Sequence, residues 1–276
     1  MEKELAEKIG TILQTVREKK PLVHHITNYV TVNDCANITL AIGASPIMAD
    51  DIGEVKEITS ISSALVLNIG TLNEWTIKSM LAAGKTANEK GIPVVFDPVG
   101  AGASALRNET VQRILQEVKI SVLRGNMSEI RFAAGLQATT KGVDASEADL
   151  RSGTEQGCAI AAAAAQKYNC VAAITGATDI VADTRRTLLL GNGTKLLSGV
   201  TGTGCMCTSL VASFCGAAED DLLSAAGGIL CMSIAGELAA EKAGETGSGS
   251  FHTAIVDAVS KMNAEILVER AKIREA

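Results

Sequence analysis

Short apolar runs alternate with longer segments of helical period over the first 175 residues of the chain. Apolar residues at helical spacing mark the longer segments as amphipathic helices, and the short runs are typical of buried strands. The predicted strands are Leu22–Ile26, Ser45–Met48, Ala64–Ile69, Ile92–Phe96, Ile120–Leu123 and Cys170–Thr175. This alternation predicts the α/β class, with a mostly parallel central sheet flanked by helices on both faces.

Residues that begin or end helices set the limits of the predicted helices. Pro21, Gly43 and Gly91 are typical helix stops, while Asn73 and Asn126 can cap the helices that follow them. The predicted helices are 2–19, Asn28–Ile42, Asp51–Ser62, Asn73–Lys90, Ala105–Val118, Asn126–Ala134 and Thr154–Tyr168. The polar, turn-rich segment Ala138–Arg151 predicts an exposed loop.

The pattern changes after residue 175. Ile180–Asp183 and Thr187–Leu190 predict a hairpin, and Thr194–Leu197 predicts another short strand. From Thr201 the pattern is helical to the last residue, with breaks near 216–220 and 244–250. Because the chain has no linker rich in proline or serine and no internal repeat, residues 1–276 are predicted to form a single domain.

Composition narrows the class of function. Hydrophobic residues make up 47% of the 276 residues, which is enough for a full core, while only 3% are aromatic and the net charge is −6. These values argue against a nucleic-acid-binding protein. The N-terminus has no apolar signal core, and no apolar run reaches the roughly 20 residues of a membrane span. The seven cysteines, several in apolar contexts, suit a reducing compartment, so a soluble cytoplasmic protein is expected.

The segment Val200–Leu210 reads V-T-G-T-G-C-M-C-T-S-L and is the strongest candidate site. Its two glycines allow a tight turn and the close approach of another group. Thr201 or Thr203 can cap the helix predicted to follow. Cys205 would lie in the first turn of that helix, where backbone N–H groups can hold a phosphate and can lower the pKa of a thiol. The segment therefore indicates chemistry on a phosphate group.

Polar residues follow several predicted strands, at the sheet edge where α/β proteins bind ligands. Asp97 comes directly after the strongest strand, and Glu129 lies three residues after the candidate cap Asn126. Either carboxylate could have a structural role, as a turn residue or in a capping box. Together they could hold Mg²⁺, directly or through water. Arg124 is the only cation expected at these strand ends, where it could pair with phosphate oxygens or lie in solvent.

Two glycine motifs resemble nucleotide-binding loops but lack the required context. Gly84-Lys85-Thr86 has the last three residues of a phosphate-binding loop, yet it lies within a predicted helix. Gly100–Ala105 fits the dinucleotide pattern, but the acidic residue expected at the end of the next strand is replaced by Glu117, in a helix. A dinucleotide-binding fold therefore stays a weak alternative.

The histidines and paired cysteines favour structural roles. His24 and His25 are adjacent on a strand and face opposite ways, so packing and hydrogen bonding are expected. Cys205 and Cys207 form C-x-C without a second pair at metal-ligand spacing. Cys207 is therefore assigned to the core, and Cys205 to the glycine turn.

Five segments, taken in order, resemble the hydroxyethylthiazole kinase family of the ribokinase-like superfamily. They read P-L-V-H-H-I-T-N-Y-V-T-V-N-D-C-A-N, A-S-P-I-M-A-D, F-D-P-V-G-A-G-A, L-R-G-N-M-S-E-I and V-T-G-T-G-C-M. The resemblance extends from about Pro21 to the C-terminal helices. It implies a ribokinase-like three-layer α/β/α fold and ATP- and Mg²⁺-dependent phosphorylation of 4-methyl-5-(2-hydroxyethyl)thiazole, a step of thiamine salvage. It also implies a homotrimer with substrate sites between neighbouring subunits.

The same resemblance implies roles for individual residues. Each matches a family position with one of four tasks: holding the metal, the nucleotide, the thiazole or the transferred phosphoryl group. The metal positions are Asp97 and Glu129, the nucleotide positions Arg124, Asn126 and Thr175, the thiazole positions Met48, Gly202, Asn28 and Gly70, and the anion hole Gly202, Thr203, Gly204 and Cys205. Where the wider superfamily has an aspartate base, this chain has Cys205, as is typical of the thiazole kinases. Whether Cys205 removes the hydroxyl proton or only positions the alcohol is left open by the sequence.

Three other functions remain possible at this point. One is a related kinase acting on another small alcohol, such as the pyrimidine half of thiamine, and the second is a nucleotide-binding protein without activity. The third is a dehydrogenase, which would have to bind NAD. The H-H-I-T-N segment and Cys205 favour the thiazole, and the combination of Asp97, Glu129 and the glycine turn favours catalysis.

Overall fold

A central sheet organises the protein, for which a computed structural model describes residues 2–136 and 147–276. The strands are β1 (Leu22–Ile26), β2 (Ser45–Met48), β3 (Ala64–Asn68), β4 (Val94–Asp97), β5 (Val122–Asn126), β6 (Val171–Thr175), β7 (Asp179–Ala182), β8 (Thr187–Leu190) and β9 (Ile273–Glu275). They form one nine-stranded sheet in the order β2-β1-β3-β4-β5-β6-β7-β8-β9. β1 to β6 pair in parallel and β7 to β9 continue the sheet antiparallel, which confirms the mostly parallel sheet.

Helices cover both faces of this sheet. They are α1 (Glu2–Lys19), α2 (Val32–Ile42), α3 (Val55–Ile61), α4 (Glu74–Lys90), α5 (Ala105–Glu117), α6 (Met127–Ala134), α7 (Glu147–Tyr168), α8 (Thr203–Cys215), α9 (Asp221–Ala243), α10 (Ser248–Lys261) and α11 (Ala264–Arg270). α1, α2 and α8 to α11 share one apolar core with the sheet, and α3 to α7 share the other. The fold is therefore the predicted three-layer α/β/α arrangement.

The strands are apolar on both faces because each face meets a helix layer. On β3, Leu65 and Leu67 pack toward α3 to α7, while Val66 between them packs toward α8 and α9. All three side chains are buried. Alternate side chains of a strand face opposite sides of the sheet, so a central parallel strand covered on both sides must be apolar throughout.

Two strand limits differ from the prediction in a way that matters for the site. The strand predicted at Ile92–Phe96 begins at Val94 and includes Asp97, and the strand predicted at Ile120–Leu123 runs from Val122 to Asn126. Arg124 therefore lies within β5, where strand pairing fixes its backbone. The segment 28–31, predicted as the start of a helix, precedes α2, which begins at Val32.

Two predictions for the second half of the chain are wrong. Thr194–Leu197 is not a strand: Thr194 caps a short 3₁₀ helix, Lys195–Gly199, by accepting a hydrogen bond from Leu196 N. The chain is also not helical to its end, because Ile273–Glu275 pairs with the outer edge of β8 and satisfies its backbone groups.

The predicted loop Ala138–Arg151 lies partly outside the described residues, which resume at residue 147. From Glu147 the chain is already helical, so the last part of that prediction is wrong and α7 starts seven residues before Thr154.

α9 is long and apolar enough to cross a membrane, judged by length and composition alone. Most of it is buried inside the protein, between the sheet and the helices α8 and α10. Its apolar character is therefore that of a core helix.

Candidate active site

A connected polar cluster lies at the carboxyl ends of β1, β3, β4, β5 and β6. The first turn of α8 lies at the same place. Its members are Asn28, Asn68, Asp97, Arg124, Thr175 and Cys205, each in contact with another member of the set. Parallel strands carry these side chains to one edge, as predicted. Met48 ends β2 at the same edge, in register with His25.

The Cys205 thiol is held by two side-chain amides. Asn28 Nδ2 and Asn68 Nδ2 each donate to Cys205 Sγ at 3.3 Å. Burial, followed by the nearby Asp97 carboxylate, raises the pKa of Cys205 above its ordinary value. The helix terminus does not produce the lowered thiol pKa that was considered possible from sequence, because desolvation has the larger effect here. A neutral thiol is therefore the main form at neutral pH.

Asp97 is buried at the end of β4, and its two oxygens have very different surroundings. Oδ2 accepts from Thr208 Oγ1 at 2.8 Å and from Asn68 Nδ2 at 3.1 Å, and lies 3.5 Å from Arg124 Nη1. Oδ1 is buried and has no hydrogen-bond partner within the described residues. Burial raises the pKa of the Asp97 carboxyl, and the Arg124 guanidinium opposes that effect. The unpaired oxygen is free for a cation.

Arg124 joins the carboxylate side of the cluster to the end of β6. It is 8% exposed, and its Nη2 donates to Thr175 Oγ1 at 2.6 Å. It is thus not a solvent-exposed loop residue. A buried guanidinium with one carboxylate neighbour at the sheet edge supplies positive charge for a phosphate.

The turn that begins α8 approaches Arg124 closely. Gly202 is the residue before the helix and has a φ of +86°, and a Cβ there would lie 2.8 Å from Thr31 Cγ2. A Cβ at Gly204 would lie 3.0 Å from Arg124 Nη1. Only glycine fits both positions without displacement of these neighbours.

The predicted cap by Thr201 or Thr203 is wrong. Among the described residues no side chain caps α8, and Thr203 Oγ1 instead donates backward to the carbonyl of Leu197 at 3.1 Å. The first intrahelical bond runs from Met206 N to Gly202 O. The earlier N–H groups of the turn are the ones a helix leaves unpaired, so they suit an anion beside Arg124.

Glu129 forms the capping box at the start of α6. Its Oε2 accepts from Asn126 N and its Oε1 from Gly100 N, both at 2.8 Å, while Asn126 Oδ1 accepts from Glu129 N. The structural alternative considered for Glu129 is therefore confirmed, and its role toward a metal stays a prediction. Each oxygen keeps a second lone pair, which can hold a water ligand of a metal ion.

The donor set fits a magnesium ion that is also bound by phosphates. In the described part of the chain no group of three acidic, histidine or cysteine side chains could hold a metal alone. Asp97 offers one unpaired oxygen, and Glu129, in the first turn of α6, offers oxygens that already accept backbone hydrogen bonds. Mg²⁺ is commonly held by one or two carboxylates together with substrate phosphates and water, which matches this set.

Four residues of the site escaped the sequence reasoning: Asn68, Thr208, Thr31 and Arg107. Asn68 ends an apolar strand and could have been noticed as a polar residue at the sheet edge. Thr31 Oγ1 donates to Asn28 Oδ1 at 3.1 Å. Arg107 corrects the expectation that Arg124 is the only cation here, since it reaches from α5 to the carbonyls of Ile69, Gly70 and Val99. The loops after β3 and β4 are thereby tied together.

The sequence motifs that lacked the context of a nucleotide or metal site have structural roles. Gly84 lies inside α4 against Val118, and Glu117 pairs with Lys85 on the surface. His24 lies within hydrogen-bond distance of Thr59 and of the Ala49 carbonyl.

His25 and Cys207, which were also assigned structural roles, are buried as expected. Burial lowers the pKa of His25 to about 4, and burial raises that of Cys207 to about 12. Neither is poised for chemistry at neutral pH.

Comparison with known proteins agrees with this geometry. The model of the hydroxyethylthiazole kinase family matches residues 13–265. A hydroxyethylthiazole kinase of Clostridium beijerinckii is 63% identical over 275 residues, covering 100% of both chains. The structure of the hydroxyethylthiazole kinase protein from Pyrococcus horikoshii OT3 superposes with a TM-score of 0.88 at 39% identity, over 98% of this chain and 99% of that one.

A more distant structure shows the wider fold. A ribokinase-like superfamily protein from Enterococcus faecalis has a TM-score of 0.64 at 10% identity, covering 96% of both chains. At this level of identity the likeness supports the ribokinase-like fold alone, and not the substrate or the catalytic residues. Since the family model covers most of the chain and the relatives match it from end to end, the protein belongs to the hydroxyethylthiazole kinase family.

Proposed function

We propose that this protein transfers the γ-phosphoryl group of ATP to the hydroxyl of 4-methyl-5-(2-hydroxyethyl)thiazole. One observation carries the proposal: the uncapped first turn of α8 lies against the Arg124 guanidinium at Gly204 and carries the amide-bound Cys205 thiol. An anion-binding turn with a cation beside it and a neutral hydrogen-bonding group within it suits transfer from a phosphate to an alcohol.

The residues around the turn act mainly by position and charge. The N–H groups of Thr203, Gly204 and Cys205 face the transferred phosphoryl group. Arg124, held by Thr175, neutralises charge on the nucleotide, and Asn126, at the end of the same strand, offers it a polar contact. Phosphoryl transfer needs alignment and charge stabilisation more than covalent help. Asp97 Oδ1, with Glu129 acting through water, would hold Mg²⁺, which when bound supplies further positive charge to the phosphates.

The acceptor lies on the side of Asn28. Asn28, Gly70, Gly202 and Met48 line the thiazole side of the proposed site, next to Cys205. A thiol whose pKa is raised above its ordinary value stays protonated at neutral pH and cannot take up the hydroxyl proton, and a loose transition state needs that proton removed only late. Cys205 therefore orients the acceptor hydroxyl, and the hydroxyl proton leaves after the phosphoryl group has moved, to water or to an oxygen of the new phosphate.

An assay of ATP consumption with hydroxyethylthiazole tests the proposal. We expect one ADP and one thiazole phosphate per turnover, with mass spectrometry identifying the product. The pyrimidine alcohol of thiamine serves as the comparison substrate, and an NAD titration addresses the dehydrogenase alternative. Preferred phosphorylation of the pyrimidine, or ATP binding without transfer to either alcohol, would reject the proposal.

The Cys205→Ala variant is expected to slow turnover by about 10- to 1,000-fold, because it loses the group that orients the hydroxyl. Cys205→Asp should keep substantial activity, since the Asn28 and Asn68 amides can donate equally to a carboxylate. Steady-state rates of both variants give the answer. Cys215→Ala removes a buried thiol from the far end of the same helix and is the control for packing. A wild-type rate for Cys205→Ala would exclude its proposed role.

Glu129→Gln is expected to raise the Mg²⁺ concentration for half-maximal activity several-fold. The substitution removes the negative charge and also one of the two backbone hydrogen bonds that Glu129 accepts. Asn263→Ala, which removes an N-cap from α11, controls for loss of a cap alone. If Glu129→Gln has the magnesium profile of the wild type, Glu129 does not contribute to the metal site.

A homotrimer with sites between subunits, in the cytoplasm, completes the proposal. Tyr29 and Val30, next to Asn28, are 78% and 58% exposed, and apolar side chains at the rim of a site suit a subunit contact. All seven cysteines are free, which suits a reducing compartment. Sedimentation of the wild type and of Tyr29→Glu tests the assembly: three chains for the wild type and fewer for the variant support it.

A further inference from the structure

Asn68 holds both sides of the candidate site through one amide group. It is fully buried at the end of β3. Its Nδ2 donates to Asp97 Oδ2 at 3.1 Å and to Cys205 Sγ at 3.3 Å. An amide nitrogen carries two hydrogens, so both are used. One side chain thus contacts the carboxylate proposed for the metal and the thiol proposed for the acceptor.

The orientation of this amide is fixed by its oxygen. Asn68 Oδ1 accepts from Asn28 Nδ2 at 3.0 Å and from the backbone N–H of Gly70 at 2.9 Å. Rotating the amide by half a turn would place its NH₂ group against two donors and its oxygen against the Asp97 carboxylate. The nitrogen is therefore directed toward Asp97 and Cys205, and a buried amide whose oxygen and both hydrogens are all paired resists rotation.

The sulfur of Cys205 receives two donors as a result. Asn28 Nδ2 also has both hydrogens engaged, one with Asn68 Oδ1 and one with Cys205 Sγ. With two N–H groups directed at sulfur, the thiol hydrogen must point elsewhere. The Thr31 side chain, which is also within hydrogen-bond reach of Cys205, or an acceptor hydroxyl in the site can receive it.

We propose that Asn68 is a positioning residue for phosphoryl transfer, which acts by orienting Asp97 and Cys205 together. On the carboxylate, its bond to Oδ2 leaves Oδ1 as the oxygen without a partner. On the thiol, its bond to Sγ fixes one side of the sulfur and keeps the thiol hydrogen away from the Asn68 side, so that it is available to a hydroxyl in the site. The catalytic part of this inference rests on the proposed kinase function, whereas the effect on the thiol does not.

Thr208 provides a matched control. Its hydroxyl donates to the same Asp97 oxygen as Asn68, at 2.8 Å, and it is equally buried. The described contacts of Thr208 include none with the Cys205 side chain. Thr208→Val therefore disturbs the carboxylate alone, while Asn68→Leu disturbs the carboxylate and the thiol.

The first measurement is the pH dependence of Cys205 alkylation by iodoacetamide, in the protein without substrates. We expect Asn68→Leu to move the midpoint upward, because a thiolate loses one of its two amide donors, and Thr208→Val to leave it in place. The midpoint does not depend on how easily the reagent enters. Labelling of Cys205→Ala gives the background from the other cysteines. An unmoved midpoint in Asn68→Leu, or an equal movement in Thr208→Val, would overturn the proposal.

The second measurement is turnover. Residues that orient a ligand or catalytic group commonly change activity by about 10–100-fold, and we expect a loss of kcat in this range for Asn68→Leu. KM for both substrates should change much less. In a Cys205→Ala background part of the loss should disappear, because the two residues act through one contact. Full additivity would show that Asn68 does not act through Cys205.

A smaller substitution covers the possibility that leucine disturbs folding. Asn68→Ser leaves room for water and should move the alkylation midpoint in the same direction, with thermal melting recorded for every variant. Because alkylation needs no substrate, it tests Asn68 even if the wild type does not phosphorylate the thiazole. Lack of thiazole phosphorylation by the wild type would reject the kinase function, and an unmoved midpoint would reject the role of Asn68.

Discussion

Asp97→Asn is expected to lower kcat by about 10²–10³-fold, the usual effect of removing one group that stabilises charge in a transition state. The amide oxygen can replace Oδ2 and keep its donors from Thr208 and Asn68. The amide NH₂ group then occupies the position of Oδ1, where its hydrogens repel a cation. The Mg²⁺ concentration for half-maximal activity should rise together with the loss of kcat.

This variant also leaves the buried Arg124 without its counter-charge, which by itself destabilises a protein by about 3–5 kcal/mol. Asp179→Asn is the control that separates loss of a metal ligand from loss of a buried carboxylate. Asp179 is buried, its pKa is raised to about 6 mainly by burial, and its oxygens are occupied by Gly176 N and Ser233 Oγ. We expect Asp179→Asn to leave the magnesium profile unchanged. A wild-type profile for folded Asp97→Asn would remove Asp97 from the metal site.

Gly202→Ala is expected to reduce kcat/KM by about 10²-fold or more, because the turn before α8 must move and its N–H groups move with it. An L-residue in the left-handed conformation costs about 1–2 kcal/mol. The added Cβ would also lie 2.8 Å from Thr31 Cγ2, and Thr31 holds Asn28 in place. The variant should therefore be both less stable and much less active.

Gly91→Ala is the control for the backbone cost. Gly91 ends α4 with a φ of +69°, and within the described residues no atom lies within 4 Å of the Cβ it would gain. Urea unfolding should show a loss of about 1 kcal/mol without a change in kcat. If Gly202→Ala is no less active than Gly91→Ala, the position of the turn is not important for transfer.

The sequence pattern predicted the layers of the fold because each layer imposes a local period. The runs in β1 to β6 are apolar on both faces, and the helices between them have caps and stops that act within a few residues. β9 could not be predicted in this way. Its strand character comes from the open edge of β8, a partner more than 80 residues earlier in the chain.

The same distinction between local pattern and distant contacts applies to the residues of the candidate site. The presence of Asp97 and Arg124 in the site was predicted from their positions at strand ends. The turn before α8 was predicted from its two glycines. Thr208 contacts Asp97 across 111 positions and lies among apolar residues of α8, so its role depends on how that helix is rotated. The role of Glu129 in a capping box was visible from its spacing, whereas its second bond, to Gly100 N, depends on the fold.

The order of the sheet has a consequence for how the acceptor could be changed. After β1 the chain crosses to β2 through α2, on one face, whereas after β3 it crosses to β4 through α4, on the other. The connections diverge between β1 and β3, so a crevice opens there whatever residues line it. Substitutions in the two short segments that follow these strands should therefore change which alcohol is accepted without altering the packed layers beneath. The scaffold and the choice of acceptor are separable, and variants with new specificity can be sought in those segments alone.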